Sequence, residues 1–528
     1  MSRARLGSLL PLLALAGCGG AAPESEADPT PAPMALVSPR AWLTRVSLDV
    51  RGVRPDVEDL EAVDADPEAT AALVEGYLAD DRLGTRVAWI WNDALHTAAF
   101  FQDPPYRDLL PTDAEARDLG WNALEVVRGV VDEDRPFSDI VTAPTVPWND
   151  TLARFWDAEA SGSAEWIQYT PDDGRPMAGM LSIDALWLVY DGDRTNLNRR
   201  RANAVSRIFA CSDFLARETA FAADIPAESL AVLAEAVRTE PTCIACHAGL
   251  DPLASFFGGF ADRAVSQPAA ELRVYSQWTA DWYQASTPAA WYGNPGNDLT
   301  DLGGFIAADP RFASCSVRRV AEGLIGHAVD DAQLEAWTRS FVEEDGLQMR
   351  PLVARIVASE AYRADEERVL TTEQLHTTLA DLTGWDPATT TAGGWMPLSW
   401  DGDMRTLGGG TDDTEVLLRN REVGLGSHVL MTWAGRVAAG ALAEDAARPA
   451  GERVLWTVID PAAAEPSEED VRAQLTTWAS RFLSEPVATD DPRVDGLLTL
   501  WAGAGDTPGE AGAVVLQALV RHPASRIY

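Results

Sequence analysis

Pro241-Thr242-Cys243-Ile244-Ala245-Cys246-His247-Ala248-Gly249-Leu250-Asp251-Pro252 is the stretch on which the reading of the 528-residue chain turns. Its centre is a C-x-x-C-H run, the attachment pattern of c-type haem. Two thiols about one helical turn apart can each add to a haem vinyl group. A histidine directly after the second thiol then faces the iron and supplies the proximal nitrogen. The same residues also permit a redox dithiol or half of a zinc site. A zinc site needs further ligands, and no second Cys/His cluster lies close by in sequence. A thioredoxin-like pair follows a strand of a βαβ unit, and no such pattern surrounds this one. Cys243, Cys246 and His247 are therefore the candidate ligands of one covalent haem c.

The N-terminus supplies a matching compartment. Arg3 and Arg5 precede a short apolar run, Leu6 to Ala16, which ends in Leu15-Ala16-Gly17-Cys18. That order of charged, apolar and cysteine segments resembles a bacterial lipobox, which implies residues 1–18 as a lipoprotein signal, lipidation of Cys18, and export. Gly19 rather than aspartate follows the cysteine, which favours the outer membrane. Residues 19–36 are rich in Ala, Pro, Glu and Asp and read as a disordered tether. No later segment is long and apolar enough to form a transmembrane helix in the mature chain.

Five cysteines are present. One is the candidate lipid anchor and two are the candidate thioethers. Cys211 and Cys315 are left over, and in an oxidising compartment they form either a disulfide or two separate buried thiols. The disulfide would close a loop of about a hundred residues around the haem motif.

The formal charge is -39, from 81 acidic and 42 basic residues, and every basic residue is arginine. Such acidity argues against nucleic acid or anionic lipid as a partner. It could steer a basic redox partner protein, or simply solvate the surface.

Periodicity predicts a mainly α, multi-helix, loop-rich fold with little or no sheet. Three units follow: an N-terminal helical domain at 37–165, a cytochrome c-like haem domain at 166–365 and a C-terminal helical domain at 366–528. Ser38-Pro39 opens the first helix, and residues 113–132 form another. Thr195 to Ala210 reads as an arginine-rich helix ending at Cys211, with Asn198 on it. Arg194, Arg199 and Arg201 could pair haem propionates, or ordinary carboxylates. Tyr275, Trp278, Trp282, Tyr283, Trp291 and Tyr292 crowd a loop that either covers the haem edge or packs in the core. Asp191-Gly192-Asp193 and Asp401-Gly402-Asp403 read as turns. Thr371-Thr372-Glu373-Gln374 and Thr507-Pro508-Gly509-Glu510 are capping boxes, and further helices are expected near 414–444 and 467–484.

The segments Trp42 to Pro55 and Arg86 to Asp93 resemble the N-terminal helical domain of planctomycete-type cytochrome c-like exported multidomain proteins. The haem run with Leu250-Asp251-Pro252 is similar to that group, as are Arg311-Phe312-Ala313-Ser314-Cys315, Leu370 to Gly384 and Val515 to Pro523. The resemblance implies haem c and a secreted, mainly helical protein. It transfers no catalytic residue, because the reactions of the group are largely undefined.

The sixth iron position decides what a haem does. Methionine there raises the potential, a second histidine lowers it, and an open position admits small ligands. No methionine occurs between His247 and Met349, so this is not a small detachable cytochrome domain. The distal candidates are His96 and Met180, then Met177, His327 and Met349. Met180 also fits a core residue, and His96 a packed histidine. Three functions follow: an envelope-anchored electron-transfer lipoprotein, a peroxidase-like haem oxidoreductase, or a surface binding or scaffold lipoprotein with structural haem.

Overall fold

The structure, a computed structural model, describes residues 35–102, 110, 112–156, 162–191, 198–216, 230–260, 274–282, 287–385, 407–411, 416–417, 424–462 and 465–528. The architecture is mainly helical. Strands among the described residues are confined to three short antiparallel pairs, of which Val146–Trp148 with Ile167–Tyr169 is the longest.

Local chemistry starts these helices where the residues dictate. Ser38 accepts from the Ala41 amide and Pro39 occupies the first turn of Pro39–Val46. Thr112 and Glu115 form a reciprocal capping box that opens Asp113–Asp132. Thr371 with Gln374 opens Thr372–Thr383, and Thr507 with Glu510 opens Pro508–Arg521. Each box satisfies two amides that the first turn would otherwise leave unpaired.

Other boundaries move. The segment expected as 414–444 contributes Leu425–Ala447, and 467–484 contributes Glu468–Leu483. Pro492–Gly503 is a helix that the periodicity did not reveal. The arginine-rich helix is Arg199–Ala210, and Asn198 precedes it in the left-handed region at φ 67°. Asn198 is thus a turn residue, since few other side chains tolerate that backbone. Residues 192–197, with Arg194, and residues 401–403 lie outside the described residues, as does Cys18.

Buried apolar side chains fall into two clusters. One runs from Leu43 to Tyr362. It joins the segments 37–165 and 166–365 into one core: Trp91 lies 5.1 Å from Phe137 and 6.4 Å from Phe209, ring to ring. The other takes in Leu370 to Val520 and one residue from far upstream, Leu48. Leu43, Val46 and Val50 face the first cluster while Leu48 faces the second. The Ser47–Arg51 turn, a π-helical continuation of the first helix ended by Gly52 at φ 74°, therefore lies between the two cores.

Polar side chains on that turn and on the helix before it bind the cores together. Asp49 Oδ2 accepts from the Tyr362 hydroxyl at 2.8 Å and Arg368 Nη1 at 3.2 Å. Its Oδ1 accepts from Gln374 Nε2 and the Tyr528 hydroxyl, both at 2.8 Å. Arg45, 1 % exposed, donates to the carbonyls of Tyr362, Ala364 and Glu366. Burial, with Asp49 alongside, pushes the Tyr362 and Tyr528 hydroxyls far above their ordinary value, so both remain donors. In the second core Asp445, fully buried, accepts from the amides of Val454, Leu455 and Trp456.

A disulfide joins Cys211 to Cys315, with Cα atoms 5.4 Å apart and a sequence separation of 104. It connects the C-cap of Arg199–Ala210 to Pro310–Ile325.

Candidate functional site

The C-x-x-C-H run lies in the first half of a helix, Pro241–Ala254. Glu240 precedes it in extended backbone, and Pro241 at the first position needs no partner for its missing amide. Helical spacing of three and four puts Cys243, Cys246 and His247 on one face. Both thiols are free and half-buried. Leu250, Leu253 and Ala254, in the second half, are buried and fix the helix to the first core.

One turn beyond His247, Asp251 holds its ring. His247 Nδ1 lies 2.9 Å from Asp251 Oδ1. Arg199, at the start of the neighbouring Arg199–Ala210 helix, grips the same carboxylate with two nitrogens. Its Nε donates to Oδ1 at 2.6 Å and its Nη2 to Oδ2 at 3.0 Å. Burial on its own would raise the Asp251 carboxyl, but the hydrogen bonds from His247 and Arg199 outweigh it and bring it down to about 2. An ionised carboxylate can only accept, so Nδ1 is the donor and carries a proton. Nε2, the other ring nitrogen, has no partner among the described residues and is open to an electrophile.

Beside this row stands an aromatic wall. Phe214 approaches Gly249 closely: a Cβ there would lie 3.3 Å from its ring. Phe214 stacks on Tyr292 at 6.1 Å and 13°, and the Arg311 guanidinium lies over the Tyr292 ring at 3.9 Å. The Tyr292 hydroxyl meets Ser206 Oγ at 2.6 Å. Tyr292 and Trp291 thus lie near the motif as packed wall, with Trp291 1 % exposed. The disulfide ends three residues before Phe214 and fixes the start of that wall. Beyond the C-terminal end of the helix opens a cleft of about 530 Å³, lined among others by Ser255, Phe256, Tyr275, Pro288 and Leu299.

The other sequence candidates occupy different settings. Met180 is 0 % exposed, within the first core. His96 caps the Arg82–Leu95 helix in the left-handed region, with Nε2 3.1 Å from the Asp93 carbonyl. Its ring lies near Tyr190, which bonds Arg207. Arg207 is two turns along the helix whose start holds Asp251, about 12 Å away on its axis. Met177 packs against the core, Met349 is 2 % exposed, and His327 Nδ1 lies 2.9 Å from the Ala328 carbonyl. Arg201 is fully buried and serves the fold: it donates to Asn198 Oδ1, Asp191 Oδ1 and the Phe260 and Trp187 carbonyls. Of the arginines proposed as anion partners, Arg199 and Arg201 each pair a carboxylate of the chain, Asp251 and Asp191.

In sequence, Asp251 is marked only by the resemblance of Leu250-Asp251-Pro252. Its spacing of four from His247 on a helix was the signal for contact.

Residues 25–152 match the PSCyt2 family model. It is described as a protein of unknown function (DUF1549). The PSCyt2 match covers about a quarter of the chain. It includes Trp42 to Pro55 and Arg86 to Asp93, and it ends before the C-x-x-C-H helix. No curated protein and no solved structure matches the chain.

Proposed function

We propose that this chain is an exported c-type cytochrome-like lipoprotein that binds one covalent haem and passes electrons at the cell envelope. The observation that supports the reading most is the row of two free thiols and an imidazole on one helix face, with Nε2 unengaged. Such donors fit a haem, which takes two thioethers and one imidazole from this spacing, whereas zinc needs further ligands that no neighbouring Cys/His cluster in the sequence supplies. In this reading Cys243 and Cys246 form the two thioethers and His247 is the proximal ligand. A bound haem would supply a one-electron ferric/ferrous couple. The chain's own part is to hold the imidazole rigidly, through Asp251, and to shield one side of the site with Phe214 and Tyr292. Cys18 would anchor the protein to a membrane, and the acidic surface suits a basic redox partner.

A second reading, a peroxidase-like oxidoreductase, is favoured by one observation. Met180 is sealed in the core and His96 is engaged in a helix cap, so neither is placed as a ready sixth ligand. An open sixth position would admit peroxide.

Expression with the c-maturation machinery, followed by haem staining and an absorbance spectrum, tests both. A low-spin, ligand-inert spectrum supports electron transfer. High-spin ferric iron that binds cyanide supports the enzyme. Absence of covalent haem refutes both.

A further inference from the structure

Asp251 does more than fill space beside the motif. It accepts from Nδ1 of His247 at 2.9 Å, and it is itself clamped by two nitrogens of Arg199 at 2.6 and 3.0 Å. These three side chains come from two helices and form a fixed line, Arg199 to Asp251 to His247. The carboxylate is 12 % exposed and the imidazole 23 %, so water competes weakly for the inner bonds. The line has two consequences for the ring. It fixes the tautomer, with the proton on Nδ1 and the lone pair on Nε2. It also places a negative charge behind the imidazole, which makes Nε2 a stronger donor.

We propose that Asp251 is the positioning residue of the axial histidine: it orients His247 and raises the electron density at Nε2, while Arg199 sets how much of its charge the ring receives. This rests on the haem reading of the site. A stronger proximal donor stabilises ferric over ferrous iron and lowers the potential. Removing the negative charge and removing the positive charge should therefore move the potential in opposite directions. A purely structural role would not give opposite signs.

Two measurements separate this inference from the haem assignment. The first needs no haem. In apoprotein labelled with ¹⁵N-histidine, long-range ¹H–¹⁵N spectra should show His247 protonated on Nδ1, and Asp251→Ala should shift it toward the mixed tautomers of a free imidazole. A His247 protonated on Nε2 in the unaltered apoprotein overturns the proposal, whatever haem staining shows. The second uses the haem-loaded protein. Asp251→Asn should favour reduction by about tenfold, a rise of about 59 mV for one electron. Arg199→Gln should lower the potential. Equal potentials in all three proteins, or shifts of the same sign, overturn the proposal. If Asp251→Asn fails to mature, Arg199→Gln alone decides: a lowered potential supports the clamp, and an unchanged or raised one overturns it. Wild-type protein without covalent haem would refute the haem reading and leave the tautomer measurement to decide the orientation.

Discussion

Asp49 and Asp251 are both partly or wholly buried carboxylates that gather side chains from other parts of the chain, and the contrast between them separates structure from chemistry. Asp49 is closed. Its oxygens accept from Tyr362, Arg368, Gln374 and Tyr528, whose positions lie 313 to 479 residues away. Gln374 also reaches the Leu48 carbonyl and Arg368 the Leu324 and Tyr362 carbonyls, and the product is a joint between two cores. Asp251 is open at one end. It takes Arg199 on one side and His247 on the other, and the imidazole passes the interaction on to an unengaged nitrogen beside two free thiols. A saturated buried network specifies a fold. A polarised line that ends at a half-exposed donor prepares a ligand site.

The comparison predicts opposite effects of substitution. Asp49→Ala should have the largest effect on stability. It removes the buried acceptor shared by Arg368, Gln374, Tyr362 and Tyr528, at a cost of about 3–5 kcal/mol, read by urea unfolding of the apoprotein. A loss under about 1 kcal/mol would show that the joint is not stabilising. Next comes the disulfide. Cys211→Ala with Cys315→Ala releases a loop whose ends are 104 positions apart in sequence and should cost about 2–4 kcal/mol. Haem loading should also fall, because Phe214 and the wall follow directly on Cys211. Normal loading in that double variant would place the wall outside haem capture. Deleting Tyr528 removes one donor to Asp49 and should lower stability by about 1–3 kcal/mol, with the haem spectrum unchanged. The smallest stability effect belongs to the motif. Cys243→Ala with Cys246→Ala should change apoprotein stability by no more than about 0.5 kcal/mol, since both side chains sit on a half-exposed face. A large loss there would mean that the thiols pack the fold, and would weaken the contrast with Asp49.

Legibility in sequence follows the same division. Helix starts at Ser38, Thr371 and Thr507 were readable because the donor and acceptor lie within four residues of each other. The C-x-x-C-H row was readable for the same reason. The Asp49 joint was not, because no local pattern announces partners more than 300 residues away. Within Trp42 to Pro55 the helix was readable from the spacing of Leu43, Val46 and Val50, but its role as a joint was not: Leu48 and Asp49 belong to the second core and its joint, while their neighbours belong to the first. Asp251 falls between the two cases. Its spacing to His247 is local, but the Arg199 that keeps it charged comes from another helix. Asn198 was misplaced on a helix because sequence periodicity carries no sign of a left-handed residue that must precede Arg199. The distal candidates were chosen by residue type alone, and burial of Met180 and the cap at His96 are tertiary facts.

The central claim, that the face bearing Cys243, Cys246 and His247 holds haem, is tested most directly by the haem content of the full chain matured in an exporting host. The account predicts one covalent haem per chain, retained through denaturing electrophoresis and lost in Cys243→Ala with Cys246→Ala. A protein that folds and is exported, with the Cys211–Cys315 disulfide formed and no covalent haem at the motif, would contradict it.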